Sequence, residues 1–414
     1  MEFQKKTNEN ITHIKDTPRK LLGGMYNMST YGMADTFGHT GNITPTQDLS
    51  NLIESIIQED REKLNLADCF WKYGWHQETV DINESGSNCR RVYKFDREQD
   101  LVQNLILVFD SEQLLCDVNF DVHTNDDIYK IIKNIEIHMG GQRIENIHGH
   151  TIKFMQQLYK MDYYFEKNNK TLRTGTGKIY VPIPFDCCVN QPIRLASLKQ
   201  HDVELCIRFK DFGFNPKFNL QLKYDSIFVS SRMRKELSQR AFEYIVKQVQ
   251  FTGDELLNNN TTIQTYRLGF NHPSIGLLLY LTDMEGNLIK DENIFEDIVI
   301  CEGDMKLFQG DSDYMRYDGL MHLGCYDSIN NDKWDGFYWM PFTRKEDLRH
   351  DSSFRSYSAF NFSVPNNANV KVKLNANFVK KSDKDNNAYI IHISTVNYHL
   401  SRIMNGMIGL AMSK

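Results

Sequence analysis

Asn369-Val-Lys-Val-Lys-Leu-Asn-Ala-Asn-Phe378 decides the fold class: Val370, Val372, Leu374, Ala376 and Phe378 alternate strictly with Asn369, Lys371, Lys373, Asn375 and Asn377. A period of two is what a strand with one buried and one solvated face requires. Val203, Leu205, Ile207 and Phe209 repeat the pattern against Asp202, Glu204, Cys206 and Arg208, and 105–109 is a buried apolar run. Turn signals bound such runs at Gly140-Gly141, Glu285-Gly286-Asn287, Asp335-Gly336 and Pro365-Asn366-Asn367. Short strands between turns indicate sandwiches rather than a parallel α/β sheet.

The chain has 414 residues, more than one hydrophobic core usually organises, so two domains are expected. Residues 1–65 form a polar arm. Within it, Thr44-Pro45-Thr46-Gln47 resembles a capped helix start, and Leu49, Leu52, Ile53, Ile56 and Ile57 follow at helical spacing, predicting a helix over about 45–64. That apolar stripe is a candidate assembly contact. A first sandwich is expected over 66–230, a connector over 231–245 with a helix at 231–243, and a second sandwich over 246–414.

Formal net charge is -6, with 48 Lys and Arg against 54 Asp and Glu, which argues against a general binder of nucleic acid. The basic cluster Arg232, Arg234, Lys235 and Arg240 is interrupted by Glu236 and reads as a solvated or interface face. Eight cysteines include no C-x-x-C pair, so reduced, mostly buried thiols are expected. The start shows no apolar leader, which predicts synthesis in the cytosol, and the longest near-continuous apolar run, 275–281, is too short to span a bilayer.

Enzyme motifs fail at specific positions. Gly175-Thr-Gly-Lys178 lacks the Gly and Ser/Thr of a phosphate loop, where Leu172 and Ile179 stand. Asp311-Ser-Asp313 lacks the glycine of a calcium loop, and His148-Gly-His150 has no recurring partner and reads as two solvated imidazoles. Trp71, Trp75, Phe70 and Tyr73 read as core aromatics rather than a stacking platform. No catalytic, cofactor-binding or metal-ligating residue is expected.

Several ordered segments resemble the major capsid proteins of nucleocytoplasmic large DNA viruses, such as iridoviruses, phycodnaviruses and marseilleviruses. They are the strand ending in Gly140-Gly141-Gln142-Arg143; the Pro182-x-Pro184-Phe185 strand with Asn190; and the next strand with His201. Asn271-His272-Pro273, Asn361-Phe362-Ser363 and the C-terminal run containing Asn397, Tyr398, Arg402, Met404, Gly406, Met407 and Gly409 follow. Asp186-Cys187 departs from the aromatics usual there, and the first 65 residues have no counterpart.

The resemblance implies an all-β double jelly roll: two antiparallel eight-stranded sandwiches in tandem behind an arm with one helix. It further implies a homotrimeric, pseudo-hexagonal capsomer that tiles an icosahedral shell. Minor capsid proteins and a penton protein are then partners, and no specific nucleic acid is bound; an internal membrane contact through the arm is a candidate from the arm's own residues, outside the resemblance. Assembly in viral factories and residence in the virion capsid would follow. The alternatives are a minor capsid or scaffold protein of the same fold, a two-jelly-roll glycan-binding or glycan-processing protein, and a DNA-packaging protein.

Overall fold

The computed structural model describes residues 75–81, 90–110, 127–159, 161, 178–189, 192–210, 219–258, 261–290, 294–319, 336–342, 359–365, 367–379 and 388–410. The expected arm helix with Leu49, Leu52, Ile53, Ile56 and Ile57 lies outside them, as do Asn190 and the aromatics at 70, 71 and 73.

The first unit contains β1 (Trp75–Asp81), β2 (Arg90–Lys94), β3 (Leu101–Asp110), β4 (Ile132–Met139), β5 (Gln142–His148), β6 (Lys178–Pro182), β7 (Val203–Phe209) and β8 (Leu220–Ile227). They pair as β1-β8-β3-β6 and β2-β7-β4-β5, all antiparallel. The second contains β9 (Phe242–Leu256), β10 (Ile263–Arg267), β11 (Pro273–Asp283), β12 (Phe295–Glu302), β13 (Met305–Asp311), β14 (Phe337–Pro341), β16 (Ala368–Leu374) and β17 (Tyr389–Met404). These pair as β9-β17-β11-β14 and β10-β16-β12-β13. Counting only these eight, the order first-eighth-third-sixth against second-seventh-fourth-fifth recurs, so one jelly-roll topology is used twice. Two short strands are added: β15 (Phe360–Asn361) beside β11, and β18 (Met407–Leu410), folded back on β17.

Helices sit at the joints: α1 (Asp127–Ile131), α2 (Gly149–Leu158), α3 (Asp186–Val189) and α4 (Ser231–Gln239). The Ser230 hydroxyl caps α4 by accepting the Met233 N–H. This helix ends earlier than expected. Arg240 is already extended and Phe242 opens β9, where its ring is buried beneath the Arg194 guanidinium, 4.3 Å from the ring centroid. On α4 itself, Arg234 pairs with buried Asp100 at 2.6 Å and Arg232 with Glu236 at 3.3 Å.

The deciding alternation also stops early. Strand β16 ends at Leu374, because the Asn375 side chain takes the Asn377 N–H and its carbonyl takes the Val379 N–H, winding 376–379 into a helical turn. Phe378 is still buried, so the apolar period was real but changed from two to helical.

Strand β11 is buried along nearly its whole length. Leu277, Leu279 and Leu281 enter the core of the second roll with Tyr338 and Met340. The intervening Leu278 and Tyr280, with Phe337 and Trp339, belong to the core of the first roll. One sheet thus serves two cores, which accounts for the unbroken apolar run. Gly276 makes room for this arrangement: a Cβ there would lie 2.2 Å from the Trp339 indole. Gly276→Ala is expected to cost about 1–3 kcal/mol of stability, read as a lower denaturant midpoint; an unchanged midpoint would mean the indole does not lie over that glycine.

Candidate functional site

Since β11 and β14 face both cores, the junction between the rolls is where the chain's side chains converge. From the first roll, α2 lays Phe154 on this sheet, 5.6 Å from the Phe337 ring and 5.3 Å from Trp339. Thr151 Oγ1 lies 3.2 Å from the Tyr280 hydroxyl. The two imidazoles expected to be solvated are part of this junction instead. His150 is buried, with Nε2 2.8 Å from the Gly286 carbonyl, and the His148 ring lies 4.6 Å from Phe251. Burial pushes the His148 imidazole down to about 4, so it is neutral at physiological pH. His392 stacks on Tyr280 at 4.6 Å, with Nδ1 3.2 Å from Asp254 and Nε2 2.9 Å from the Thr282 hydroxyl. The His392 contact holds the Asp254 carboxyl below its ordinary range. Among the described residues no group of three or more His, Cys, Asp or Glu side chains is arranged to hold a metal ion.

A second contact joins β5 to β9. The Gln248 amide donates to the Ile144 carbonyl. Asp186, the departure noted in the sequence, turns inward: it accepts the Lys247 N–H and the Tyr159 hydroxyl, each at 3.0 Å. Glu145 accepts the N–H groups of Asp186 and Cys187, both at 3.0 Å. Burial, with the Asp186 charge adding to it, pushes the Glu145 carboxyl up to about 8. The adjacent thiols lie 3.7 Å apart, and both are pushed up, Cys187 mainly by its contact with Cys188 and Cys188 by burial.

The C-terminal hairpin closes a third contact. Gly140 and Gly141 turn β4 into β5 at φ +61° and +76°, and a Cβ on Gly140 would lie 2.1 Å from His201 Nδ1. That nitrogen accepts the Ile408 N–H at 3.1 Å, Gln142 Oε1 lies 3.4 Å from the Leu410 N–H, and the Gly406 carbonyl takes the Gln200 N–H at 2.9 Å. Gly409 lies beside Gln142, and Met404 and Met407 face each other across the hairpin with exposed side chains. Arg402 pairs with Glu243 of β9. Arg143 instead joins His138 and Arg208 around buried Glu136. Burial opposes ionisation of Glu136, but the hydrogen bond from His138 and the Arg208 and Arg143 guanidinium groups outweigh it and hold its carboxyl low.

Asn271, His272, Pro273, Asn361, Phe362, Ser363 and Asn397 gather around the start of β11 in the second roll. Pro273 pairs with Asn361, and Ser274 with Asn397. His272, at φ +71°, donates its N–H to Ser363 Oγ at 3.2 Å and lies 4.6 Å ring to ring from His399. Asn271 donates to Gln250, and Phe362 meets Phe270 at 5.4 Å. Pro182 accepts from Gln156, Pro184 and Phe185 are buried, and Tyr398 lies 6.0 Å from the Lys247 ammonium. The described motif residues thus lie at joints between elements and in packing contacts. Sequence reading missed Phe154, Trp339, Tyr280 and Glu145; only the glycine inside an apolar strand, Gly276, signalled a close approach.

Because the folded Glu145 pKa is raised above its ordinary 4.5, its contribution to stability is complete below pH 4.5 and is lost as pH rises through about 8. Unfolding midpoints measured from pH 6.5 to 9, above the window in which neutral His148 favours the folded state, should fall, and Glu145→Gln should flatten that slope; an equal slope in the variant would contradict the assignment.

No family model matches the chain. The major capsid protein of Pyramimonas orientalis virus is 26% identical over 166 residues, covering 35% of this chain and 41% of that protein. The major capsid protein of Paramecium bursaria Chlorella virus 1 is 26% identical over 171 residues, covering 35% and 39%. The matched stretch thus spans about two fifths of those relatives. Among solved structures, the PBCV-1 protein VP54 superposes with a TM-score of 0.62 at 19% identity, covering 83% of this chain and 98% of that one. The Faustovirus major capsid protein gives 0.51 at 9% identity, covering 85% and 98%. The chain thus has the double jelly-roll fold of these solved structures, and over about a third of its length its sequence is similar to major capsid proteins of nucleocytoplasmic large DNA viruses.

Proposed function

We propose that the chain is a structural virion protein that forms homotrimeric, pseudo-hexagonal capsomers of an icosahedral shell, with no catalytic role. The observation that carries this reading is the inter-roll junction: two sandwiches of one topology share a buried sheet and so act as one block. Three such blocks give six nearly equivalent sides, and contacts between trimers extend them into a lattice. The similarity to viral capsid proteins supports the same conclusion.

In this reading the partners are further copies of the chain, then minor capsid and penton proteins, and an internal layer or membrane as the partner of residues 1–65. Production in the host cytosol and assembly in viral factories complete it. A glycan-binding sandwich is the competing reading. It would place carboxylates in an open groove, whereas Glu145 and Asp186 are buried and engaged with backbone.

Native mass spectrometry of the purified protein at micromolar concentration, alongside negative-stain microscopy, tests the reading. Three-chain particles with six lobes are expected. A folded monomer would contradict it.

A further inference from the structure

Two of the contacts between the rolls respond to acid in opposite directions. One is the Glu145–Asp186 group, whose Glu145 favours the folded state most when it carries its proton. The other is a column of rings. Tyr280 stacks on His392 at 4.6 Å, His392 on Phe251 at 5.9 Å, and Phe251 meets His148 at 4.6 Å. Tyr280, His392 and Phe251 belong to the second roll and His148 to the first, so the column crosses the junction. Beside it, His150 reaches the Gly286 carbonyl and Lys130 lies 3.2 Å from Asn287 Oδ1.

The hydrogen bonds around His148 require it to be an acceptor. Asn134 Nδ2 donates to Glu136 Oε1 at 3.0 Å and to Asn146 Oδ1 at 2.9 Å, which turns the Asn146 amide nitrogen toward His148 Nε2 at 2.9 Å. An amide nitrogen only donates, so Nε2 presents its lone pair. A proton there would set N–H against N–H. The carboxylates that face His148 are already engaged: Glu136 on β4 by His138, Arg143 and Arg208, and Asp254 on β9 by His392. Lys210 acts on Asp254 as well. Burial opposes a charge on His148 most, and Arg143 on β5 and His392 on β17 oppose it further.

We propose that this column is an acid-operated latch: protonation of His148 opens the ring-column end of the junction, while the Glu145–Asp186 end stays closed as the hinge. The charged imidazole is accommodated only in water, so opening is favoured as pH falls from 6.5, its ordinary value, toward about 4. The rolls then part at one end without unfolding.

Thiol labelling of the whole chain reads both ends. Thr151 is buried with Oγ1 3.2 Å from the Tyr280 hydroxyl, so Thr151→Cys places a reporter at the latch, and native Cys187 and Cys188, buried beside Glu145, report the hinge. A pyridyl disulfide, which labels thiols in acid and at neutral pH alike, is applied at pH 7.5 and pH 5. Each rate is divided by that of the urea-unfolded chain at the same pH and assigned by peptide mass spectrometry. Labelling at Thr151→Cys should rise at least about tenfold at the lower pH, with Cys187 and Cys188 unchanged. His148→Phe keeps a ring against Phe251 but takes up no proton, and should abolish the rise. His148→Gln gives the same reading should that variant fail to fold, and Thr282→Cys, at the residue beside His392, is a second reporter. A chain with His148 intact that shows no rise at either reporter would overturn the latch. So would an equal rise at Cys187 and Cys188, or a rise that survives removal of the imidazole.

Discussion

The burial of one β-sheet on both faces is the constraint on which the structure depends. In a sandwich facing water, alternate residues of an outer sheet are polar. Here the outward set of β11 and β14 contains Leu278, Tyr280, Phe337 and Trp339, and it is covered by the first roll. Exposing such a set would leave several large side chains in water, each worth about 1.5–3 kcal/mol when buried. The second roll is therefore not an independent sandwich attached by a linker. Its surface is completed by the first.

Other features follow from that sharing. Gly276 lets the Trp339 indole lie flat enough over the strand for Phe154 to reach it. The Glu145–Asp186 group joins β5, α3 and β9 through backbone hydrogen bonds, which ties the start of the second roll to the first. The C-terminal hairpin returns to the Gly140-Gly141 turn and His201, so the last described strand closes on elements some two hundred residues earlier. Each joint fixes the relative placement of the rolls.

The alternation at 203–209 and 369–374 made the sandwich class legible, because exposed polar residues mark every second position. The strand 275–281 was legible only as apolar. It is too short for a helix that crosses a membrane, and its unbroken character was the available sign of burial on two faces, but local pattern does not reveal which partner covers it. His148 and His150 were misread for the same reason, since their burial is created by residues 100 or more positions away. Glu145 and Asp186 sit in stretches whose pattern does not separate a buried acid from a solvated one. The overrun at Asn375 arose because Ala376 and Phe378 satisfy a strand period and a helical turn alike.

The central claim is that the two rolls form one cooperative body through the shared sheet. Differential scanning calorimetry of the whole chain tests this most directly, with Phe154→Ala as the comparison, a change expected to cost about 3–5 kcal/mol. The account predicts one transition in the unaltered chain and a lower one in the variant, both rolls unfolding together. Two separate transitions in the unaltered chain, with only the first moved by the substitution, would contradict it.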